Sequence, residues 1–194
     1  MVTVAILCGG QSQRMGADKS FVMFQNRPVF EHVLRRVETL TLPVILITNT
    51  AEKYASYHLP MVSDTLANMG ALGGLYTAID ASVTRYTLCV ACDMPFLNTA
   101  LLHYLVTLCD SSDIISPRIG GYPETMHTIY QKSCLEPIRQ QLAQGDLKAS
   151  GFFDKVKVRY VDTNEIRSYD PELRSFINLN TPADLAAASL LLPD

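Results

Sequence analysis

Little in this sequence favours a nucleic-acid or membrane partner. Charged residues make up only 18% of the 194 residues, and the net charge is −3. A surface that binds a nucleic-acid duplex usually has a marked excess of Lys and Arg, so we expect no nucleic-acid partner. The apolar stretch at residues 2–8 has no basic flank and no small-residue cleavage pattern. It is also too short to span a bilayer, and it predicts a β-strand with neither a signal peptide nor membrane contact.

Cysteine is present, but not in a disulfide or zinc pattern. There are five cysteines, an odd number, and most lie within apolar runs, as is typical of reduced, buried thiols. Cys89 and Cys92 form a C-x-x-C motif, but side chains three positions apart in a strand point to opposite faces. A zinc site of this kind needs a second pair, which the sequence lacks. We therefore expect the cysteines to pack in the core of a cytoplasmic protein.

Repeats, low-complexity tracts and linkers are absent as well. Apolar residues make up 48% of the chain, which is enough to bury a sheet in one α/β domain of this length. We therefore expect a single domain over residues 1–194.

Apolar runs of strand length alternate with segments of helical period. Most of the runs lack the two-residue alternation of a half-exposed strand, which predicts central parallel strands covered on both faces. The strand-like runs are 2–7, 44–48, 87–92 and 156–162. The helical segments are 28–40, 70–82, 133–143 and 180–188. With a hairpin pattern around Gly120-Gly121, they predict a three-layer α/β fold with a mixed, mostly parallel central sheet.

The loop after the first strand is rich in glycine and carries two cations. Gly9 and Gly10 let the backbone come close to a ligand, and Arg14 and Lys19 bring positive charge to it. An anion is the natural ligand, although the loop has neither a Walker Gly-Lys-Ser/Thr nor a G-x-G-x-x-G turn. The spacing alone leaves two interpretations open, a phosphate loop and a plain strand-to-helix turn.

Asp93 directly follows the strand 87–92, where ligands of such sheets bind. Because Pro95 biases Met94 towards extended backbone, the carboxylate is presented at the tip of the strand. That position suits Mg²⁺, which takes one or two protein carboxylates and completes its shell with waters and substrate phosphates. The alternative is an aspartate that caps a helix or stabilises a turn.

Two further segments carry candidates. Glycine is costly within a helix, so the glycines at 70, 73 and 74 indicate either a ligand base or sugar nearby, or tight packing of the helix on a strand. Asn178 and Asn180 flank the junction before the last helix, and Asn180 is interpreted first as a cap of that helix.

These segments together resemble a known family. LCGGQSQRMGADKS at 7–20 resembles the L-A-G-G-x-S-x-R-M-G-x-D-K signature of nucleotidyltransferases that join a nucleoside monophosphate to a phosphorylated acceptor. GALGGL at 70–75, CVACDMPFL at 89–97 and FINLNTPADL at 176–185 resemble the molybdenum cofactor guanylyltransferase branch. The resemblance spans nearly the whole chain and implies the Rossmann-like α/β/α fold of those enzymes.

The resemblance also implies roles for individual residues. The nucleotide-binding positions are Leu7, Cys8, Gly9, Gly10, Lys19, Asn49, Asp64, Gly74 and Asp93. Arg14, Lys19 and Asp93 are the catalytic positions, and Asp93 also binds the metal, while Asn178 and Asn180 bind the acceptor. Cys8 stands where the family usually has alanine, a change that contacts through the backbone can absorb. The segment 122–130 matches only loosely, so Glu124 and His127 receive no role.

The implied reaction is transfer of GMP from GTP to the terminal phosphate of molybdopterin, with Mg²⁺ as cofactor and pyrophosphate as leaving group. Molybdoenzymes or other cofactor-biosynthesis proteins are the further partners it suggests. Two alternatives stay open: cytidylyl transfer to molybdopterin or another phosphorylated small molecule, and a non-catalytic module that delivers nucleotide or cofactor. Gly10, in place of an alanine, favours guanine.

Overall fold

The computed structural model of the protein describes residues 1–9, 19–64, 66 and 69–191. The strands within these ranges are β1 (Val2–Leu7), β2 (Met23–Phe24), β3 (Arg27–Pro28), β4 (Val44–Ile47), β5 (Met61–Val62), β6 (Tyr86–Ala91), β7 (Ile114–Ile119), β8 (Tyr122–Pro123), β9 (His127–Gln131) and β10 (Val158–Asp162). The helices are α1 (Val29–Glu38), α2 (Ala51–Tyr54), α3 (Gly70–Ala81), α4 (Thr99–Thr107), α5 (Leu135–Ala143), α6 (Thr163–Ile166) and α7 (Pro182–Ser189).

One mixed sheet forms the middle layer, in the order β10-β7-β9-β6-β1-β4-β5, with β8 paired to β7. The strands β6, β1, β4 and β5 are parallel neighbours. β9 runs antiparallel between β6 and β7. The predicted central parallel strands are therefore confirmed, and the carboxyl ends of β1, β4, β5 and β6 meet along one edge of the sheet.

Helices cover both faces of this sheet. On one face, Val4 and Ile6 of β1 and Leu88 of β6 pack in a core with α1, α4 and α6. On the other face, Ala5 and Leu7 of β1 pack in a second core with α3 and α5. Successive side chains of β1 thus point alternately into the two cores, and the strand is therefore buried at every position. The predicted three-layer arrangement is confirmed.

The hairpin pattern around Gly120-Gly121 is confirmed, but its second arm is short. Both glycines have positive φ, +58° and +87°, as a two-residue hairpin turn requires. β8 that follows pairs with β7 over only two residues, and β9 supplies the longer antiparallel partner. The sequence pattern merged β8 and β9, which a turn at Thr125 and Met126 separates.

Two cysteines of the C-x-x-C motif lie on opposite faces, as predicted. Cys89 is buried in the core beside α3 and α5, and Cys92 packs against the other core. In the part of the chain that the structure describes, no helix is both long and apolar enough to cross a bilayer.

His127 at the start of β9 is fully buried, and among the described residues neither of its ring nitrogens has a hydrogen-bond partner. Its ring packs on Phe176, with 4.8 Å between ring centroids. Burial lowers the pKa of His127 to about 4, and the nearby Asp170 only partly opposes this. The folded protein therefore holds a neutral imidazole well below the pH at which an exposed one takes up a proton.

We expect this histidine to make the fold sensitive to mild acid. Its pKa is lower in the folded state than in the unfolded state, so below pH ~6.5 the unfolded state binds the proton first and stability falls as pH falls, down to about pH 4. Between pH 7 and 5 the free energy of unfolding of the wild type should drop by about 2 kcal/mol more than that of His127→Leu. Urea unfolding at both values measures the difference, and parallel pH profiles would contradict it.

Candidate active site

The polar residues predicted from separate segments gather at the carboxyl edge of the sheet. Gly9 follows β1, Asn49 follows β4, Asp64 follows β5 and Asp93 follows β6. Because these strands are parallel neighbours, the residues that follow them share one edge. Gly10 and Arg14 lie outside the described residues, and their predicted roles stay predictions.

Lys19 is held beside Asp93 by its own short turn. It begins a 3-10 turn, Lys19–Phe21, that packs against the site from the side of α1. The buried Ser20 donates a hydrogen bond to Cys92 Sγ at 3.2 Å. Phe21 packs on Tyr54 with 4.9 Å between ring centroids. These contacts fix the backbone that directly follows the lysine, and the ammonium group lies near the end of β6.

The ammonium group of Lys19 reaches the C-terminal segment. Lys19 Nζ donates a hydrogen bond to Asn180 Oδ1 at 2.5 Å. Burial raises the pKa of Asp93, and the charge of Lys19 opposes this shift. A cation, an amide and a carboxylate from three distant parts of the chain are thus brought together, as the sequence motifs implied.

Asp93 is half-buried, and burial raises the pKa of its carboxyl above the ordinary range, against the opposing effects of Lys19 and of its own backbone N–H. It caps no helix, because Asn98 is the N-cap of α4 and accepts from Leu101 N at 3.0 Å. The alternative interpretation of Asp93 as an N-cap is therefore wrong, whereas its other form, an aspartate in a turn, agrees with the turn at Cys92 and Asp93.

The C-terminal segment forms a wall of the site. Leu179 is buried and its N–H donates to Asp93 O at 2.9 Å, while the side chains of Asn178 and Asn180 on either side are exposed. Upstream, the Asp170 carboxylate accepts from the backbone N–H groups of Arg174 and Ser175. These bonds hold the extended segment in one register, with both asparagines turned away from the core.

The helix α7 begins after Asn180 and is capped by another residue. Thr181 is its N-cap and accepts from Asp184 N, while the Asp184 carboxylate accepts from the backbone N–H groups of Thr181 and Asn180. The expectation that Asn180 caps this helix is wrong, because Thr181 and Asp184 satisfy the helix start as a capping box. The amide of Asn180 is thereby left to meet Lys19.

Asn49 and Asp64 are linked to each other on the opposite half of the edge. Asn49 Oδ1 accepts from Asp64 N at 2.9 Å. One oxygen of Asp64 accepts from Leu66 N and from the Thr77 hydroxyl, both at 3.0 Å. The two predicted nucleotide contacts therefore form one hydrogen-bonded unit, which α3 supports through Thr77.

The glycines of the two predicted loops differ in what surrounds them. A Cβ on Gly9 would meet no atom of the described residues within 4 Å. A Cβ on Gly74 would lie 3.2 Å from Leu7 Cδ2, and one on Gly73 would lie 2.8 Å from Met69 Cβ. Tight packing explains these two helix glycines. Gly70 needs its glycine for another reason, a φ of +58°.

Leu7 and Cys8 bury their side chains, one in each core. Their backbone groups remain the parts that face the edge, and Cys8 N already donates to Ile47 O at 2.8 Å. The Cys8 side chain, which is larger than that of alanine, is accommodated in the buried core that also contains Val90 and Met94.

A cleft of about 280 Å³ opens between Asp93 and the C-terminal wall. Its lining consists of Ala91, Asp93, Met94, Glu124, Thr125, Met126, Asn178 and Asn180. This volume is near the lower limit of small-molecule sites and fits a phosphate group or a flat ring better than a whole nucleotide. The cleft therefore joins the two predicted acceptor residues to the predicted metal residue.

The chain is similar to known proteins over nearly its whole length. Residues 4–159 match the MobA-like NTP transferase domain. The chain belongs to this family. It is 33% identical over 193 residues to the probable molybdenum cofactor guanylyltransferase of Natranaerobius thermophilus, covering 96% of this chain and 94% of that protein. It is 30% identical over 184 residues to the molybdenum cofactor guanylyltransferase of Syntrophotalea carbinolica, covering 94% and 88%.

The fold of this chain is similar to that of several solved structures. The molybdopterin-guanine dinucleotide biosynthesis protein A of Archaeoglobus fulgidus superposes with a TM-score of 0.86 at 28% identity, over 97% of both chains. The 4-diphosphocytidyl-2C-methyl-D-erythritol synthase of Anaerococcus prevotii reaches a TM-score of 0.71 at 14% identity, over 98% of this chain and 95% of that one, and shares the fold alone. The nucleotidyltransferase fold predicted from the sequence is confirmed.

Sequence reasoning missed several residues that build this site. Thr77 and Asp184 position Asp64 and Asn180, although the sequence assigned a role to neither of them. The Thr181–Asp184 spacing is a capping-box signal that could have revealed the second of these. Thr77 gives no such signal, because its bond to Asp64 depends on how α3 packs beside β5.

Proposed function

We propose that this protein transfers GMP from GTP to the terminal phosphate of molybdopterin and releases pyrophosphate. The observation that carries the proposal is the meeting of Lys19, Asp93 and Asn180 at the mouth of one cleft. The names of the relatives, which are molybdenum cofactor guanylyltransferases, support the substrates. An acceptor phosphate oxygen attacks the α-phosphorus of GTP, and the bond to the pyrophosphate breaks as the new P–O–P bond forms.

The two halves of the sheet edge suit the two substrates. The backbone at Gly9 and the Asn49–Asp64 unit form the nucleotide side, and the cleft beside Asn178 and Asn180 forms the acceptor side. Asp93 lies between them at the end of β6. We assign both halves to one domain over residues 1–194, with nucleotide binding in its N-terminal half.

Lys19 and the two asparagines position the substrates and neutralise phosphate charge. The Lys19 ammonium contacts phosphate oxygens, and its positive charge offsets the negative charge that develops on the leaving pyrophosphate. We assign the same role to Arg14. Asn178 and Asn180 can donate amide hydrogens to the acceptor phosphate. The backbone N–H groups of the loop after β1 complete this set of donors.

Asp93 fits a magnesium ligand. Its carboxylate is a hard oxygen donor beside an open cleft, and burial there makes an uncompensated negative charge costly, which a bound cation would offset. When bound, Mg²⁺ supplies Lewis-acid stabilisation of phosphate oxygens. Asp93 is the residue that would hold it.

A substrate assay tests the proposal. The protein is incubated with molybdopterin, Mg²⁺ and either GTP or CTP, and pyrophosphate and the dinucleotide product are measured. We expect both products with GTP and far less with CTP. Preference for CTP would replace the guanylyl assignment with a cytidylyl one. Binding of GTP without release of pyrophosphate would instead indicate a delivery module.

A further inference from the structure

Glu124 places a carboxylate in the acceptor cleft, the cleft beside Asn178 and Asn180. It is half-buried and lines the same cleft as Asp93, Asn178 and Asn180. Burial raises the pKa of Glu124, with no opposing cause. Among the described residues, no side chain donates a hydrogen bond to its carboxylate and no cation pairs with it. A desolvated carboxylate of this kind is costly unless a ligand supplies the missing donors.

The backbone that carries Glu124 is fixed from three sides. Glu124 N donates to Pro117 O at 2.9 Å, and Glu124 O accepts from the Thr128 hydroxyl. The next carbonyl, that of Thr125, accepts from the buried hydroxyl of Tyr130 at 2.8 Å. Buried side chains of β9 thus hold the segment in place, and the carboxylate is presented to the cleft by a rigid support instead of a loose loop.

The charge of Glu124 decides what it can contact. A carboxylate repels phosphate, so Glu124 does not suit the phosphate end of either substrate. Its two oxygens accept two parallel N–H donors well, as in bidentate pairing. The half-exposed thioether of Met126 lines the cleft nearby and suits the face of a flat heteroaromatic ring.

We propose that Glu124 is a specificity residue that recognises the aminopyrimidinone edge of the acceptor, accepting hydrogen bonds from its exocyclic amino group and adjacent ring N–H. This inference rests on the proposed function, which makes the acceptor a pterin. Asn178 and Asn180 then hold the phosphate end of the acceptor, and Glu124 holds its ring end.

Guanine carries the same pair of donors, so the place of Glu124 in the sheet distinguishes the two substrates. Glu124 follows β8, which pairs with β7 on the β9 side of β6. Gly9, Asn49 and Asp64 follow β1, β4 and β5 on the other side of β6. The carboxylate therefore belongs to the acceptor half of the edge, away from the nucleotide half.

The test uses Glu124→Gln, which keeps the shape of the side chain and replaces one acceptor by a donor. We expect the KM for molybdopterin to rise about tenfold to a hundredfold, because a bond to a charged group is lost and a donor faces a donor. The KM for GTP and the Mg²⁺ concentration for half-maximal rate should stay within about twofold. Glu38→Gln, an exposed glutamate on α1, is the matched control and should change none of these values.

Ring fragments give a second measurement that needs no change in the protein. We expect 6-hydroxymethylpterin to inhibit the wild type at least about tenfold better than 6-hydroxymethyllumazine, which has an oxygen in place of the amino group. Glutamine offers one acceptor and one donor, which match the ring N–H and that oxygen. Glu124→Gln should therefore abolish or reverse the preference.

The outcomes separate this inference from the proposed function. Absence of product from GTP and molybdopterin with the wild type would defeat the proposed function itself. If transfer proceeds but Glu124→Gln leaves the KM for molybdopterin unchanged, or the wild type does not prefer the pterin, the role of Glu124 is wrong and the function stands. A raised KM for GTP would place the residue at guanine, and a raised Mg²⁺ requirement would make it a metal ligand; either result overturns the proposal.

Discussion

Asp93→Asn lowers the turnover number for nucleotidyl transfer by about a hundredfold or more, at saturating GTP, acceptor and Mg²⁺. The amide has nearly the same shape as the carboxylate but no negative charge, so it holds a divalent cation poorly. The fold should tolerate the change, because the hydrogen bond that joins Asp93 to the C-terminal wall comes from its backbone carbonyl. Steady-state release of pyrophosphate measures the effect.

Asp80→Asn is the matched control for this experiment. Asp80 is an exposed residue near the end of α3, and it lies outside the carboxyl edge of the sheet. We expect wild-type turnover from it and an unchanged thermal midpoint from both variants. Turnover of Asp93→Asn within a few-fold of the wild type would remove Asp93 from the catalytic machinery.

Lys19→Met lowers kcat/KM for GTP by about a hundredfold, the loss expected when a preorganised cation is removed from the leaving phosphates. Methionine keeps most of the aliphatic stem, so the turn Lys19–Phe21 should persist through Ser20 and Phe21. Loss of the bond to Asn180 should add a smaller increase in the KM for the acceptor. Rates at varied GTP and at varied acceptor separate these two effects.

Lys19→Arg and Lys155→Met complete the set of variants. Arginine keeps the charge but presents it as a broad planar group, so we expect only part of the lost rate to return. Lys155 is an exposed lysine on the far part of the chain, beyond α5, and its loss should leave kcat/KM unchanged. Equal rates for Lys19→Met and Lys155→Met would show that the charge of Lys19 has no part in the reaction.

The three-layer fold and the carboxyl edge of its sheet could be predicted from the sequence, because short local patterns indicate them. Uninterrupted apolar runs at 2–7 and 87–92 mark strands covered on both faces, and a polar residue directly after such a run must lie at the end of the sheet. Asp93 follows from this rule alone. Lys19 and the two asparagines needed the family motif as well, since nothing in their own segments indicates that they meet.

The remaining features depend on contacts between distant segments. The bond from Lys19 to Asn180 joins opposite ends of the chain, and the support of Asp64 by Thr77 depends on the packing of α3. Gly74 shows why sequence alone is ambiguous at such a position. Both the approach of a ligand and close packing on Leu7 require a glycine there. The closeness of Leu7 accounts for the glycine by packing, and the role of Gly74 in nucleotide binding stays a prediction.

The hydrogen bond from Leu179 N to Asp93 O has a consequence for how such enzymes diverge. It joins two main chains, and any residue but proline at position 179 could donate it. The position of the C-terminal wall therefore does not depend on which side chains stand at 178 and 180. Duplicated genes could exchange these two side chains, to which we assign the acceptor, while Asp93, the proposed metal ligand, stays at the end of β6.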